Sequence, residues 1–194
     1  SLPFGIGTSD VPRFDGMHAA ALRVCAGTLT ASRAVAAGDS LHAVNVAGGL
    51  HHSMPDHASG FCVYNDIAVA IRDMLAQGVE RIAYIDVDAH HGDGVERFFW
   101  DDPRVLTVSI HQSGRSLFPG TGFAEEVGGS NATGTAVNLD LPEVDRARQW
   151  IMAICARAGL RMRMGTGLPR VFREAGLPWP EMRMTAIHGG GADY

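Results

Sequence analysis

Residues 81–100 restrict the possible folds more than any other stretch of this chain. Arg81-Ile82-Ala83-Tyr84 opens a short run of apolar, β-branched and aromatic residues. Apolar residues without alternation predict a parallel strand buried on both faces. Ile85-Asp86-Val87-Asp88-Ala89-His90-His91-Gly92-Asp93-Gly94 follows at once. Val95-Glu96-Arg97-Phe98-Phe99-Trp100 then reads as the start of a helix, with Asp93 its expected N-cap. Three carboxylates and two imidazoles thus leave the C-terminal end of one strand within eight residues. In open α/β sheets, ligands bind at that edge.

The spacing has a chemical use. Asp86, Asp88 and His90 alternate, so in extended backbone they share one side. A carboxylate and an imidazole on one side can grip a divalent cation, and mixed N/O ligation with an open position suits catalytic zinc. A mere helix-capping cluster would need one acidic residue. Clustered charge at a strand end is costly unless something compensates it.

Bulk properties narrow the class. At 194 residues the chain fits one domain with a sizeable core. No apolar run is long enough to span a bilayer. Ser1-Leu2-Pro3-Phe4-Gly5 lacks a charged leader region, so no signal peptide is expected. A net charge of -5 and the lack of a Lys/Arg block argue against nucleic-acid binding. The three cysteines, Cys25, Cys62 and Cys155, form no CxxC pair, which predicts a reducing cytoplasm rather than a disulfide framework.

The remaining elements follow in chain order. Residues 1–15 read as loop. Residues 16–37 predict one or two helices stopped by Gly38, with His18 a surface or capping residue. His42-Ala43-Val44-Asn45-Val46-Ala47 predicts a strand that runs into Gly48-Gly49-Leu50-His51-His52. Adjacent histidines in extended backbone face opposite ways, so a turn is needed to bring both into one pocket; the two glycines permit it. Ser59-Gly60-Phe61-Cys62-Val63-Tyr64-Asn65-Asp66 precedes a helix through residue 77, capped by Asn65 or Asp66. Residues 104–111 and 136–141 predict two more strands, separated by the stiff loop Leu117-Phe118-Pro119-Gly120-Thr121-Gly122. This order gives an α/β fold, a mainly parallel sheet flanked by helices. Beyond residue 143 a helical stripe at Ala147, Trp150, Ile151, Ile154 and Ala158 reads as core, and His188-Gly189-Gly190-Gly191 lacks the context of a phosphate loop.

Four motifs, in order, resemble the zinc-dependent histone deacetylase family: Gly48–His52, Ala58–Asp66, Tyr84–Gly94 and Phe118–Gly122. With Ile6-Gly7-Thr8 and the Met54-Pro55 pair they resemble its bacterial acetoin-utilisation branch. The resemblance implies an arginase/deacetylase-like fold, in part, with a core over residues 1–142. Residues 143–194 would be a divergent C-terminal segment and not an independent domain. It implies hydrolysis of the acetyl amide of acetyl-lysine, or of a small acetylated amine; charge and hydropathy, as above, predict no nucleic-acid or membrane partner. His51 and His52 would move protons, with Asp86 and Asp93 orienting them. Asp88 and His90 would be zinc ligands. Gly60, Phe61 and Phe118 would form the substrate channel. Asp86, Asp88, His90, Ser109 and Ile110 would hold a structural K+ or Na+.

The family's third zinc ligand follows a further strand in a Gly-Xaa-Asp segment, and its transition-state tyrosine follows a run of glycines. Neither has a clear counterpart here: Asp140, Asp145 and Asp193 stay open as ligands, and Tyr194 is a distant echo of the tyrosine. Alternatives to the deacetylase reading are an inactive family remnant, truncated at both ends and binding metal or protein, and an acetylpolyamine amidohydrolase.

Overall fold

The computed structural model describes residues 3–142. Three parallel strands form its sheet: β1 (Ile82–Asp86), β2 (Val105–Gln112) and β3 (Ala136–Leu141), in spatial order β1-β2-β3. The register aligns Asp86 with Ser109 and His111 with Asp140. The helices are α1 (Met17–Ala36), α2 (Asp66–Ala76) and α3 (Asp93–Phe98). Parallel strands with intervening helices are the expected α/β architecture.

One face of the sheet makes the core. Ala68 and Ile71 of α2, Val95 and Phe99 at α3, and Val105 of β2 are buried together, with Ile82 and Tyr84 of β1 against them. Among the described residues the opposite face is uncovered: Ile85 is 64% exposed, and Leu106, Val137 and Leu139 are exposed too. The expectation of a strand buried on both faces is therefore corrected. Among the described residues the helices cover one side, so β1 alternates between half-buried and exposed before ending at buried Asp86.

Two further expectations change. The predicted strand at 42–47 is irregular backbone, with Val44 83% and Val46 96% exposed. The cause is local. Asn45 Nδ2 donates to Val24 O (3.1 Å) and Thr28 Oγ1 (2.7 Å) on α1, while its Oδ1 accepts from Ala47 N (3.2 Å). That side chain bends the backbone into a turn against the helix, which outweighs the strand preference of its β-branched neighbours. Asp93 is the first residue of α3 rather than its cap; Gly92 is the N-cap, and the Asp93 carboxylate is committed elsewhere. Asn65 caps α2 by accepting from Ala68 N at 2.9 Å, worth about 1 kcal/mol.

Candidate active site

The site is built at the C-terminal ends of the strands. Its first part is the turn carrying His51 and His52. Gly49 takes φ +97°, and His51 N donates to Gly49 O at 2.9 Å. The turn is pinned from below by the N-terminus of α2. Asp66, fully buried, accepts from Leu50 N (2.8 Å) and Gly49 N (3.2 Å). Asn65 Nδ2 donates to His51 O (3.3 Å) and Ser53 O (3.0 Å). Asn65 and Asp66 were expected only as caps; they also position both histidines, a tertiary role that no spacing announces.

Each histidine has its own buried carboxylate. His51 Nδ1 donates to Asp86 Oδ2 at 2.6 Å, and His52 Nδ1 donates to Asp93 Oδ1 at 2.7 Å. All four residues are buried, and the two rings lie 4.1 Å apart. Tyr84 Oη donates to the same Asp86 oxygen. Tyr84 precedes Asp86 by two residues, so the strand period alone places both on one face of β1. Burial alone would lower the His51 pKa; the bond to Asp86 and the charges of Asp86, Asp88 and Asp93 outweigh it and hold it above the ordinary histidine value. Burial likewise opposes the Asp86 charge, yet the bonds from His51 and Tyr84 keep its carboxyl below the usual range.

Asp88 and His90 lie just past the end of β1. The chain bends there, so the expected alternation stops at Asp86. Instead Asp88 N donates to Asp86 Oδ1 (2.9 Å), and His90 N donates to Asp88 Oδ1 (2.8 Å). His90 Nδ1 also lies 2.9 Å from Asp88 Oδ1, with both side chains partly exposed. Ser109 lies opposite Asp86 in the register, with Ile110 next along β2; these two were expected beside a monovalent cation with Asp86, Asp88 and His90.

His51, His52, Asp88 and His90 meet Gly60, Phe61 and Phe118 around a cavity of about 490 Å³; Asp86, Ser109 and Ile110 do not line it. Phe118 stands edge-on to His52, with ring centroids 5.0 Å apart. Phe61 is 76% exposed and holds φ +64°. Gly60 takes φ +53°, and a Cβ there would lie 2.5 Å from the His52 ring. Asp10 lines the same cavity and accepts from Gly60 N at 2.7 Å; the sequence placed it only in a loop.

The donor chemistry suits zinc in part. Of the expected ligands, the Asp88 carboxylate and the His90 imidazole line the cavity, whereas a catalytic zinc takes three protein ligands. Among the described residues no group of three metal-binding side chains is assembled. Asp140 is not at the cavity; it accepts from Ser113 Oγ at 3.3 Å. Asp145, Asp193, Tyr194 and the His188–Gly191 stretch lie outside the described residues. No described helix is long and apolar enough to cross a membrane.

Comparison with known proteins agrees with this geometry. Residues 3–162 match the Histone deacetylase domain. The acetoin utilization protein AcuC of Bacillus subtilis (strain 168) is 52% identical over 138 residues, which is 71% of this chain and 36% of that protein. AcuC of Staphylococcus xylosus is 38% identical over the same shares. The crystal structure of an HDAC homolog complexed with SAHA superposes with a TM-score of 0.69 at 36% identity, over 73% of this chain and 38% of that one. An HDAC homolog from Aquifex aeolicus gives 0.68 at 36% identity over the same shares. The chain spans little more than a third of these relatives, 36% and 38% of their lengths. The paired histidines on paired aspartates, and the sheet that carries them, are therefore those of a chain that belongs to the histone deacetylase domain family.

Proposed function

We propose that this chain carries the proton-handling and channel-wall parts of a zinc-dependent deacetylase of the acetoin-utilisation type, acting on acetyl-lysine or a small acetylated amine. The observation behind this reading is the pair of back-to-back histidines, each on its own buried aspartate, in a cavity flanked by two phenylalanines. Hydrolysis adds water oxygen to the acetyl carbonyl carbon, breaks the C–N bond, and leaves acetate and a free amine. With Nδ1 committed to Asp93, His52 has Nε2 left to take the water proton. His51, held protonated more readily by Asp86, gives a proton to the departing amine. Phe61 and Phe118 pack along the apolar stem of a lysine and exclude water.

Asp88 and His90 would hold the zinc together with a ligand outside the described residues. When bound, zinc lowers the pKa of its water from ~15.7 to ~7 and polarises the carbonyl. Asp86, Ser109 and Ile110, with Asp88 and His90, would hold K+ or Na+. A cytoplasmic location is part of this proposal.

The test is zinc content of the purified, metal-loaded chain after dialysis, beside His90→Ala, followed by an acetyl-lysine assay. About one zinc per chain, lost in the variant, with acetate release, supports the enzyme. No retained zinc and no acetate release overturns it for this chain and favours the remnant reading.

A further inference from the structure

Outside the cavity lining lies a second set of buried polar side chains that the proposed chemistry does not use. His91 (2% exposed), Glu96 (7%), His111 (0%) and Asn138 (7%) come from four different places: the turn after β1, then α3, β2 and β3. The rings of His91 and His111 lie 4.7 Å apart, tilted by 40°. His91 Nε2 lies 3.3 Å from Glu96 Oε2, and Asn138 Nδ2 donates to that same oxygen at 2.8 Å. Asn138 Oδ1 is a buried polar atom without a partner among the described residues, so this amide is held for what it donates. A buried polar network of this kind rigidifies what it touches when its members are paired.

What it touches is the loop that carries Phe118. His91 Nδ1 lies 2.9 Å from Thr121 Oγ1, and His111 Nε2 donates to Gly122 O at 2.9 Å. Glu126 Oε2 accepts from Gly122 N (2.6 Å) and Phe123 N (3.2 Å). Gly122 takes φ +83°, and a Cβ there would lie 2.5 Å from both the His91 ring and His111 Nε2. The loop backbone thus lies directly on the two imidazoles. Three residues before Thr121, Phe118 meets His52 and, at 6.5 Å between centroids, His90.

We propose that His91 and Thr121 form a latch that positions Phe118 and thereby sets the width of the cavity mouth. His91, held in place by Glu96, fixes the Thr121 hydroxyl; the hydroxyl fixes the loop, and the loop holds the phenyl ring against His52. Both are positioning residues. They determine which acyl chain passes, not how its amide is cut. The consequence for substrate choice rests on the deacetylase reading, whereas the positional claim does not.

The experiment compares Thr121→Val, which keeps shape and loses the hydroxyl, with Thr121→Ser, which keeps the hydroxyl. Hydrogen–deuterium exchange of the full chain is followed in peptides covering residues 115–123. The expected result is about tenfold faster exchange in Thr121→Val and wild-type exchange in Thr121→Ser. Unchanged exchange in Thr121→Val, or equal loosening in both variants, overturns the latch. In preparations that hydrolyse acetyl-lysine, Thr121→Val raises KM with kcat nearly kept, and narrows the preference for acetyl over longer acyl chains. An equal loss on every acyl length overturns the role in selectivity. If wild-type protein releases no acetate, the deacetylase reading fails, and the exchange result still decides the latch.

Discussion

His51 Nδ1 and Asp86 Oδ2 lie 2.6 Å apart, both side chains buried, one from a glycine turn and the other from the end of β1. This bond joins two segments 35 residues apart and fixes an imidazole at the strand ends. Asp86→Asn keeps the shape and removes the charge. Breaking one side of a buried ion pair costs roughly 3–5 kcal/mol, and the amide can still accept, so a loss near the low end is expected in urea unfolding. Where acetate release is measurable, kcat falls on the order of 10²–10⁴-fold. Full stability in the variant would show that the pair contributes nothing to folding.

The same pair predicts how stability depends on pH. His51 is raised, so its contribution is complete below the unfolded histidine pKa of about 6.5 and is lost as pH climbs through the folded value. Asp86 is lowered, so its contribution is complete above about 3.9 and is lost as pH falls through its folded value. The two are one interaction, counted once. Wild-type stability relative to Asp86→Asn is therefore greatest between about pH 3.9 and 6.5 and shrinks on both sides. A difference that stays flat from pH 5 to 9 contradicts this assignment.

Phe61 holds a left-handed backbone at φ +64° while 76% exposed. For a bulky residue that conformation costs of order 1–3 kcal/mol, and little burial offsets it. Phe61→Gly is expected to leave thermal stability equal or slightly higher, while raising KM for an acetyl-lysine peptide. A clear drop in melting temperature would mean that the ring supports the fold rather than the cavity.

Burial pushes the Cys62 thiol up to about 11, and Cys25 is raised too, again mainly by burial. The thiolate is the reactive form. At pH 8 iodoacetamide should label both far more slowly in native protein than in urea, as read by peptide mapping that separates them from Cys155. Rapid native labelling of Cys62 would mean that the loop around Gly60 opens often.

The central cluster was legible because its chemistry is local. Asp86, Asp88, His90, His91 and Asp93 leave one strand in a few residues, and no fold could scatter them. The need for a turn before His51 and His52 followed equally from the alternation of extended backbone. The partners of those residues were not legible in the spacing. That Asp86 faces His51 and Asp93 faces His52 depends on where the turn at Gly49 meets the end of β1, which Asp66 and Asn65 decide from the start of a helix.

The sequence alone determined the order of the three strands of the sheet and of the helices between them, their parallel direction, a helix cap at Asn65 or Asp66, and the residues that carry charge to the site. Propensity, period and motif spacing are properties of neighbours along the chain. Only the tertiary structure decided that residues 42–47 turn against α1 through Asn45, that one face of β1 is uncovered among the described residues, and that the tilted rings of His91 and His111 meet at the Phe118 loop. Burial and pairing depend on residues that meet across the fold, and no local pattern specifies them.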